Sequence, residues 1–230
     1  MNKQLTKKHS FERMERKWTY QKSNISINNL IIALLRSPFL FKEKFETRQV
    51  NSIYFDDKNF SSIIQNIDGH QIKQKYRARW YGEKNTIEKL FFEIKEKDGF
   101  VSKKTVIPIN FKGKIRFDLA GISKINDEIN KILNFKISLF PILSTHYHRK
   151  YYLSDNNKIR ATLDYDIGSH QLIYKYELNF VKNFNDLILE FKYDVENDNY
   201  VRSHLRDNSS RFSKSSKYVN SAISNPQFSS

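Results

Sequence analysis

The sequence predicts an α+β fold: a closed antiparallel β-barrel of about eight strands with helices packed against its outside. Three observations carry this. Runs of strand length, separated by turn residues, follow one another from Glu12 to Val195. Within those runs, cations recur at every second position, where a sheet usually places its core residues. The chain also carries 18 Phe and 13 Tyr but only three well-formed amphipathic helices to cover them. A barrel with a charged lumen and an apolar outside would use all three features.

The elements read as follows. Residues 1–10 form a basic, disordered lead-in, and one domain spans residues 11–222. The first strand covers about 12–20. Ser26 to Leu35 is a helix, with Ser26 as N-cap and Ile27, Leu30, Ile31 and Leu34 at helical spacing; Pro38 ends it. A strand follows at Gln49 to Phe55, and a short helix at Asp57 to Asn66 is capped by Asp56 and Asp57. Strands at about 71–82, 89–97 and 101–109 come next, the last two joined by the Asp98-Gly99 turn. Ser123 to Asn134 is an amphipathic helix, with Ile125, Ile129, Ile132 and Leu133 on one side. Strands at about 142–153, 158–166, 171–179 and 187–195 follow, the first two separated by Asp155-Asn156-Asn157. The tail from Asn197 is polar with a short helix near 214–222, and residues 223–230 are a polar end.

Composition narrows the function. A net charge of +15 calls for an anionic partner. With no cysteine, thiolate catalysis, disulfides and Cys-based zinc sites are excluded. No apolar run approaches the roughly 20 residues that span a bilayer. The basic N-terminus lacks the apolar stretch of a signal peptide, so a cytoplasmic location is expected.

The strand faces are the sharper signal. Lys75, Arg77 and Arg79 share one face, and Tyr76, Ala78 and Trp80 the other. Glu93 and Lys95 oppose Phe92 and Ile94. Glu190 and Lys192 oppose Leu189, Phe191 and Tyr193. Arg160, Thr162 and Asp164 oppose Ile159, Ala161 and Leu163, while Tyr147, Arg149 and Tyr151 share a face, as do Arg13, Glu15 and Lys17. One such strand is an ordinary half-wet strand. Repeated, with arginines and in-register acids, the pattern describes a charged lumen that repels itself unless a polyanion fills it. Arginine forks and lysine point charges suit phosphate oxygens. His146 and His148 share the face opposite Arg149, and no third ligand accompanies them.

In this order the motifs resemble the VTC domain, the polyphosphate polymerase branch of the triphosphate tunnel metalloenzymes. The likeness covers about residues 11–222. Its elements are Glu15-Arg16-Lys17 before Trp18, Ser52-Ile53-Tyr54-Phe55-Asp56, Arg77 to Gly82, Glu93-Ile94-Lys95, Tyr147-His148-Arg149, Arg160 to Asp164, Leu189 to Lys192, and Lys214-Ser215-Ser216-Lys217-Tyr218. A lysine in the hairpin strand falls at Lys103, or at Lys104 if the register shifts by one. The superfamily's upstream glutamate is replaced by Arg13. The chain looks like a free-standing, bacterial-type version of the domain.

The resemblance implies a triphosphate tunnel in which the terminal phosphate of ATP passes to a growing inorganic polyphosphate chain. Lys17, Arg77, Arg79, Lys95, Lys103, Arg149, Arg160, Lys214 and Lys217 would hold phosphoryl oxygens, with Tyr147 and Ser216 adding hydrogen bonds. Glu190 would bind Mn²⁺ or Mg²⁺, with Glu15 and Glu93 acting through water. ATP and polyphosphate are the implied partners, with no nucleic acid and no membrane span. Two other functions remain open: hydrolysis of inorganic or nucleoside triphosphate in the same tunnel, and non-catalytic binding of polyphosphate or nucleic acid. A nucleic-acid reader should set aromatics beside its cations, and here they mostly lie on the opposite faces.

Overall fold

The computed structural model describes residues 13–99, 101–134, 136–172, 178–205 and 216–223. Its strands are β1 (Arg13–Gln21), β2 (Lys42–Asp56), β3 (Ile72–Tyr81), β4 (Thr86–Ile87), β5 (Leu90–Asp98), β6 (Val101–Ile109), β7 (Ile115–Arg116), β8 (Phe140–Leu153), β9 (Arg160–Leu172), β10 (Leu178–Phe184) and β11 (Asp186–Asp194). Its helices are α1 (Ile27–Leu35), α2 (Ser61–Ile67), α3 (Leu119–Ile132), α4 (Asp198–Leu205) and α5 (Lys217–Ile223). None of them is long and apolar enough to cross a membrane.

One antiparallel sheet dominates, in the order β1-β11-β9-β8-β2-β3-β5-β6, with β10 paired to the far half of β9; β4 and β7 form a separate clip. The registers preserve the alternation read from the sequence. Arg77 stands opposite Glu93 and Lys75 opposite Lys95, Arg149 opposite Asp164, and Glu190 opposite Lys17. Directly opposed residues share a face, so these charged side chains form one continuous surface.

That surface is concave. Lys95 on β5 feels the charges of Lys192, Glu15 and Lys17 on β11 and β1, strands near the other end of the ladder. Only a curled sheet brings those strands face to face. It is not, however, a closed barrel: among the described residues no ladder joins β1 to β6. Closure was the sequence expectation. Lys95 on one flank faces Lys17 and Lys192 on the other, and like charges oppose bringing those flanks together.

The apolar faces turn outward and are covered. Ala78, Trp80 and Phe92 pack beneath Ile122, Ile125 and Ile129 of α3. Helix α3 starts at Leu119 rather than Ser123 because the Asp118 side chain accepts the Gly121 amide at 2.9 Å and caps it. A Cβ at Gly121 would lie 1.9 Å from the Arg116 carbonyl oxygen, so only glycine permits this close approach. On the other flank Trp18, Leu189 and Phe191 pack with Leu30 and Leu34 of α1 and Val201 of α4. Ser26 caps α1 as expected, accepting the Asn29 amide at 3.2 Å.

Asp56 and Asp57 also act as expected. Asp56 accepts the amides of Asp57, Ser62 and Ile63, and Asp57 those of Asn59 and Ser61, fixing the start of α2. The tail after Asn197, read as polar chain, contains α4. It is held by Asp198, which accepts from Arg16 at 2.6 Å and from the Tyr193 hydroxyl at 2.8 Å. β9 runs on to Leu172 where two strands were expected. It changes partner from β11 to β10 near Asp166, whose φ of 50° bends the strand.

If the outward face is the core, Phe92→Ala should destabilise the domain by about 3–5 kcal/mol. Chemical denaturation checks this; a loss near zero would mean that this face is not load-carrying core.

Candidate functional site: a cation-lined concave face

Three carboxylate-centred clusters line the concave surface. In the first, Glu93 on β5 accepts Arg77 Nε at 2.5 Å and Lys104 Nζ at 2.8 Å, with Arg79 Nη1 4.0 Å away. Burial pushes the Glu93 carboxyl up, but Arg77, Arg79 and Lys104 outweigh it and hold it at about 2. In the second, Asp164 on β9 is 1% exposed as a side chain and receives the Arg149 fork at 2.6 and 2.7 Å. Lys217, from the first turn of α5, also donates to it. The bidentate geometry makes this the strongest pairing in the wall.

In the third cluster, Lys17 and Lys192 are shared by Glu15 and Glu190. Lys192 lies 2.6 Å from Glu190 and 3.4 Å from Glu15, and Lys17 lies 3.4 Å from Glu190 and also pairs with Glu15. Burial raises the Glu190 carboxyl, and Lys192, Lys17 and Arg149 pull it far below the usual range.

Tyr147 ties the clusters together. Arg149 sits 5.2 Å and Lys217 4.4 Å from its ring centroid, and Arg79 Nη2 donates to its hydroxyl at 3.5 Å. Burial alone would raise the phenol; Arg149, Arg79 and Lys217 lower it instead. The C-terminal segment closes over the wall here. Tyr218 stacks on Tyr54 at 4.7 Å and donates to Asp56, and the Ser216 hydroxyl accepts Lys75 Nζ at 3.1 Å.

The cations are not fully matched. Among the described residues, Arg79 Nε is buried without a hydrogen-bond partner. Burial, with Lys17 and Arg77 adding repulsion, lowers Lys75 to about 8. Lys95 is driven well below the usual lysine range by burial and by Arg77 and Lys192.

Lys17, Arg77, Arg79, Lys95, Tyr147, Arg149, Glu190, Ser216 and Lys217 thus converge on one surface. Lys103 does not. Its register partner is Glu96, with which it pairs at 3.2 Å, whereas Lys104 stands opposite Lys95 and reaches Glu93. The inward lysine of that strand is Lys104. Arg160 shares the face of Asp164 but stands exposed at the first position of β9, opposite Lys192. Lys214 lies outside the described residues. Lys104 is the alternative that the one-residue shift allowed, and Lys75, Asp164 and Lys192, set on the charged faces by their two-residue spacing from Arg77, Thr162 and Glu190, join the residues assigned phosphate-binding roles. His146 lies on the outer face, its ring stacked 5.4 Å from that of His170.

Among the described residues no three His, Cys, Asp or Glu side chains gather to hold a metal. Burial and the charge of Glu190 push the Glu15 carboxyl up, and Lys192 and Lys17 bring it below its usual range. A pair of carboxylates fits Mg²⁺ or Mn²⁺ when substrate phosphates complete the coordination shell.

The sequence profile of the VTC domain matches residues 4–224. The chain belongs to the VTC domain family. No functionally curated protein matches it. Solved structures share the fold of this VTC domain. A protein named as a candidate adenylate cyclase from Bacillus halodurans aligns with a TM-score of 0.53 at 16% identity, over 91% of this chain and 95% of that one. Another named as a candidate adenylate cyclase, from Vibrio parahaemolyticus, aligns at 0.52 and 11% identity, over 93% and 99%. At such identities the likeness speaks to the fold alone.

Two outcomes follow for the VTC domain. Asp164→Asn strips the countercharge from buried Arg149 and Lys217 and should cost about 3–5 kcal/mol in chemical denaturation. The second concerns pH. Lys75 is lowered to about 8 in the free protein, and a bound polyanion restores its charge. Tripolyphosphate binding should therefore take up protons, and affinity should fall as pH rises above about 8, by about one log unit per pH unit for each titrating lysine. Calorimetry in buffers of different ionisation enthalpy measures this; binding without proton uptake at pH 8–9 would contradict it.

Proposed function

We propose that this VTC domain is a polyphosphate polymerase that transfers the terminal phosphate of ATP to an inorganic polyphosphate chain. The observation that carries the reading is the balance of the wall. Lys17, Lys75, Arg77, Arg79, Lys95, Lys104, Arg149, Lys192 and Lys217 outnumber Glu15, Glu93, Asp164 and Glu190, and every one of these carboxylates is already shared between cations. Such a wall suits two polyanions lying end to end. It offers few free acids to orient a water, which favours phosphate over water as acceptor.

In this reading no protein nucleophile takes part. A terminal oxygen of the polyphosphate chain attacks the γ-phosphorus. A phosphorus–oxygen bond forms, the bond to the bridging β–γ oxygen breaks, and ADP leaves with the electron pair. Arg77, Arg79 and Arg149 hold and neutralise equatorial oxygens, so catalysis is positioning and charge compensation. Lys95 and Lys75, without carboxylates of their own among the described residues, gain a counterion when the chain enters. Tyr147 aims its hydroxyl at the same space, and Ser216 and Lys217 border it from α5. Lys214 completes the motif by the family resemblance. A divalent ion, Mg²⁺ or Mn²⁺, would have to take Glu190 and Glu15 from Lys17 and Lys192, and would then supply further neutralisation of phosphate charge.

Purified protein incubated with ATP and Mn²⁺ should yield a polyphosphate ladder on a stained gel. Arg77→Ala should reduce the product by on the order of 10²-fold or more, and Glu190→Ala should abolish metal-dependent turnover. Free phosphate without a ladder would make the protein a triphosphate hydrolase instead. An unaffected rate in folded Arg77→Ala would remove the tunnel from the chemistry.

A further inference from the structure

Beyond Arg149, the concave face carries an aromatic pair that the phosphate-binding wall does not use. β2 and β8 extend there as a two-stranded ribbon, with Arg48 opposite Arg149 and Phe45 opposite Tyr151. Tyr151 is also opposite Thr162 of β9. Tyr151 and Arg149 are two residues apart on one strand and so share a face; cross-strand pairing puts Phe45 and Arg48 on it too.

The three side chains form a cluster. The Phe45 and Tyr151 rings meet edge to face, with centroids 5.8 Å apart at 84°. The Arg48 guanidinium carbon lies 5.2 Å from the Phe45 centroid and 5.9 Å from that of Tyr151. Arg48 is exposed and has no carboxylate partner among the described residues. Phe45 is 49% exposed, although it is a large apolar ring. The ribbon therefore presents π-faces and an uncommitted guanidinium at the edge of the cation-lined surface.

We propose that Phe45, Tyr151 and Arg48 form a nucleobase-stacking site that seats the base of a nucleoside triphosphate whose phosphates lie on the adjoining wall. The proposal rests on the reading that the wall takes a nucleoside triphosphate. The spacing suits it. Residues two apart on a strand are about 6.7 Å apart, and the ribose separates base from α-phosphate by a comparable span. A base on the ribbon thus leaves its phosphates at Arg149 and beyond. Base–aromatic stacking and arginine cation–π contact need no edge hydrogen bonds. Such a site distinguishes a nucleotide from an inorganic phosphate chain without reading which base it carries. It would place nucleotide at this end of the surface, leaving the interior to the phosphate chain.

The test compares two probes, ATP and inorganic tripolyphosphate, titrated calorimetrically into the wild type, Phe45→Ala, Phe45→Leu and Tyr151→Ala. The expected result is a loss of ATP affinity of about 5- to 100-fold in each variant, with tripolyphosphate affinity within twofold of wild type. Phe45→Leu keeps apolar bulk but removes the π-face, so it separates stacking from packing. Unchanged ATP affinity in Phe45→Leu, or equal losses for both probes, would overturn the base site while leaving the tunnel intact. Failure of the wild type to bind tripolyphosphate would overturn the tunnel reading itself, and the base site with it.

Discussion

Crowding like charges on one buried surface is the constraint on which the rest of this structure depends. Two cations 4 Å apart repel by about 4 kcal/mol at an effective dielectric of 20, and more where water is excluded. The wall manages this by spacing carboxylates among the cations. Asp164 is shared by Arg149 and Lys217, Glu93 by Arg77 and Lys104, and Glu190 by Lys17 and Lys192. The compensation is incomplete, and the surplus is concentrated at Lys75 and Lys95, which among the described residues make no ion pair of their own and feel only the charge of Glu15 from the acids. A residual positive field is thus built into the folded protein and directed into the concavity. Its natural complement is a chain of phosphates.

The same constraint turns the domain inside out. With the inner face given to charge, apolar side chains must point away from the curl and find cover outside it. Helix α3 supplies that cover over β3 and β5, while α1 and α4 supply it over β1, β9 and β11. Register then becomes critical, because a slip of one residue would send Tyr76, Ala78 and Trp80 inward and Arg77 and Arg79 into the core. The C-terminal helix α5 is the exception, since it works from the inner side. Tyr218 stacks on Tyr54 and reaches Asp56, which also caps α2, so one buried carboxylate anchors two helices beside the wall.

Much of this was legible from residues alone. Alternation along Lys75-Tyr76-Arg77-Ala78-Arg79-Trp80 gave both faces of β3, and Leu189 to Tyr193 gave those of β11, because the two-residue period of a strand is a local property. Ser26, Asp56 and Asp57 announced their caps for the same reason. What escaped depends on pairing. Lys103 and Lys104 are adjacent, and only the β5–β6 register shows that Lys104 shares the face of Lys95. Helix α4 was hidden because it packs through Val201 and through Tyr200 and His204 against Phe39, and its anchor, Asp198 with Arg16 and Tyr193, joins distant segments. The Phe45–Arg48–Tyr151 cluster spans a bulged pairing between β2 and β8 that no local pattern encodes.

The sequence by itself determined the alternation of charge and apolar character, the polyanion-seeking surplus of cations and the family to which the chain belongs. Those follow from residue type and spacing. The tertiary structure decided which cation meets which acid, which lysines stay unmatched, and that the sheet curls without closing its ladder. Those outcomes rest on distances between strands remote in the chain, where repulsion between Lys95 and the lysines of the far flank opposes closure.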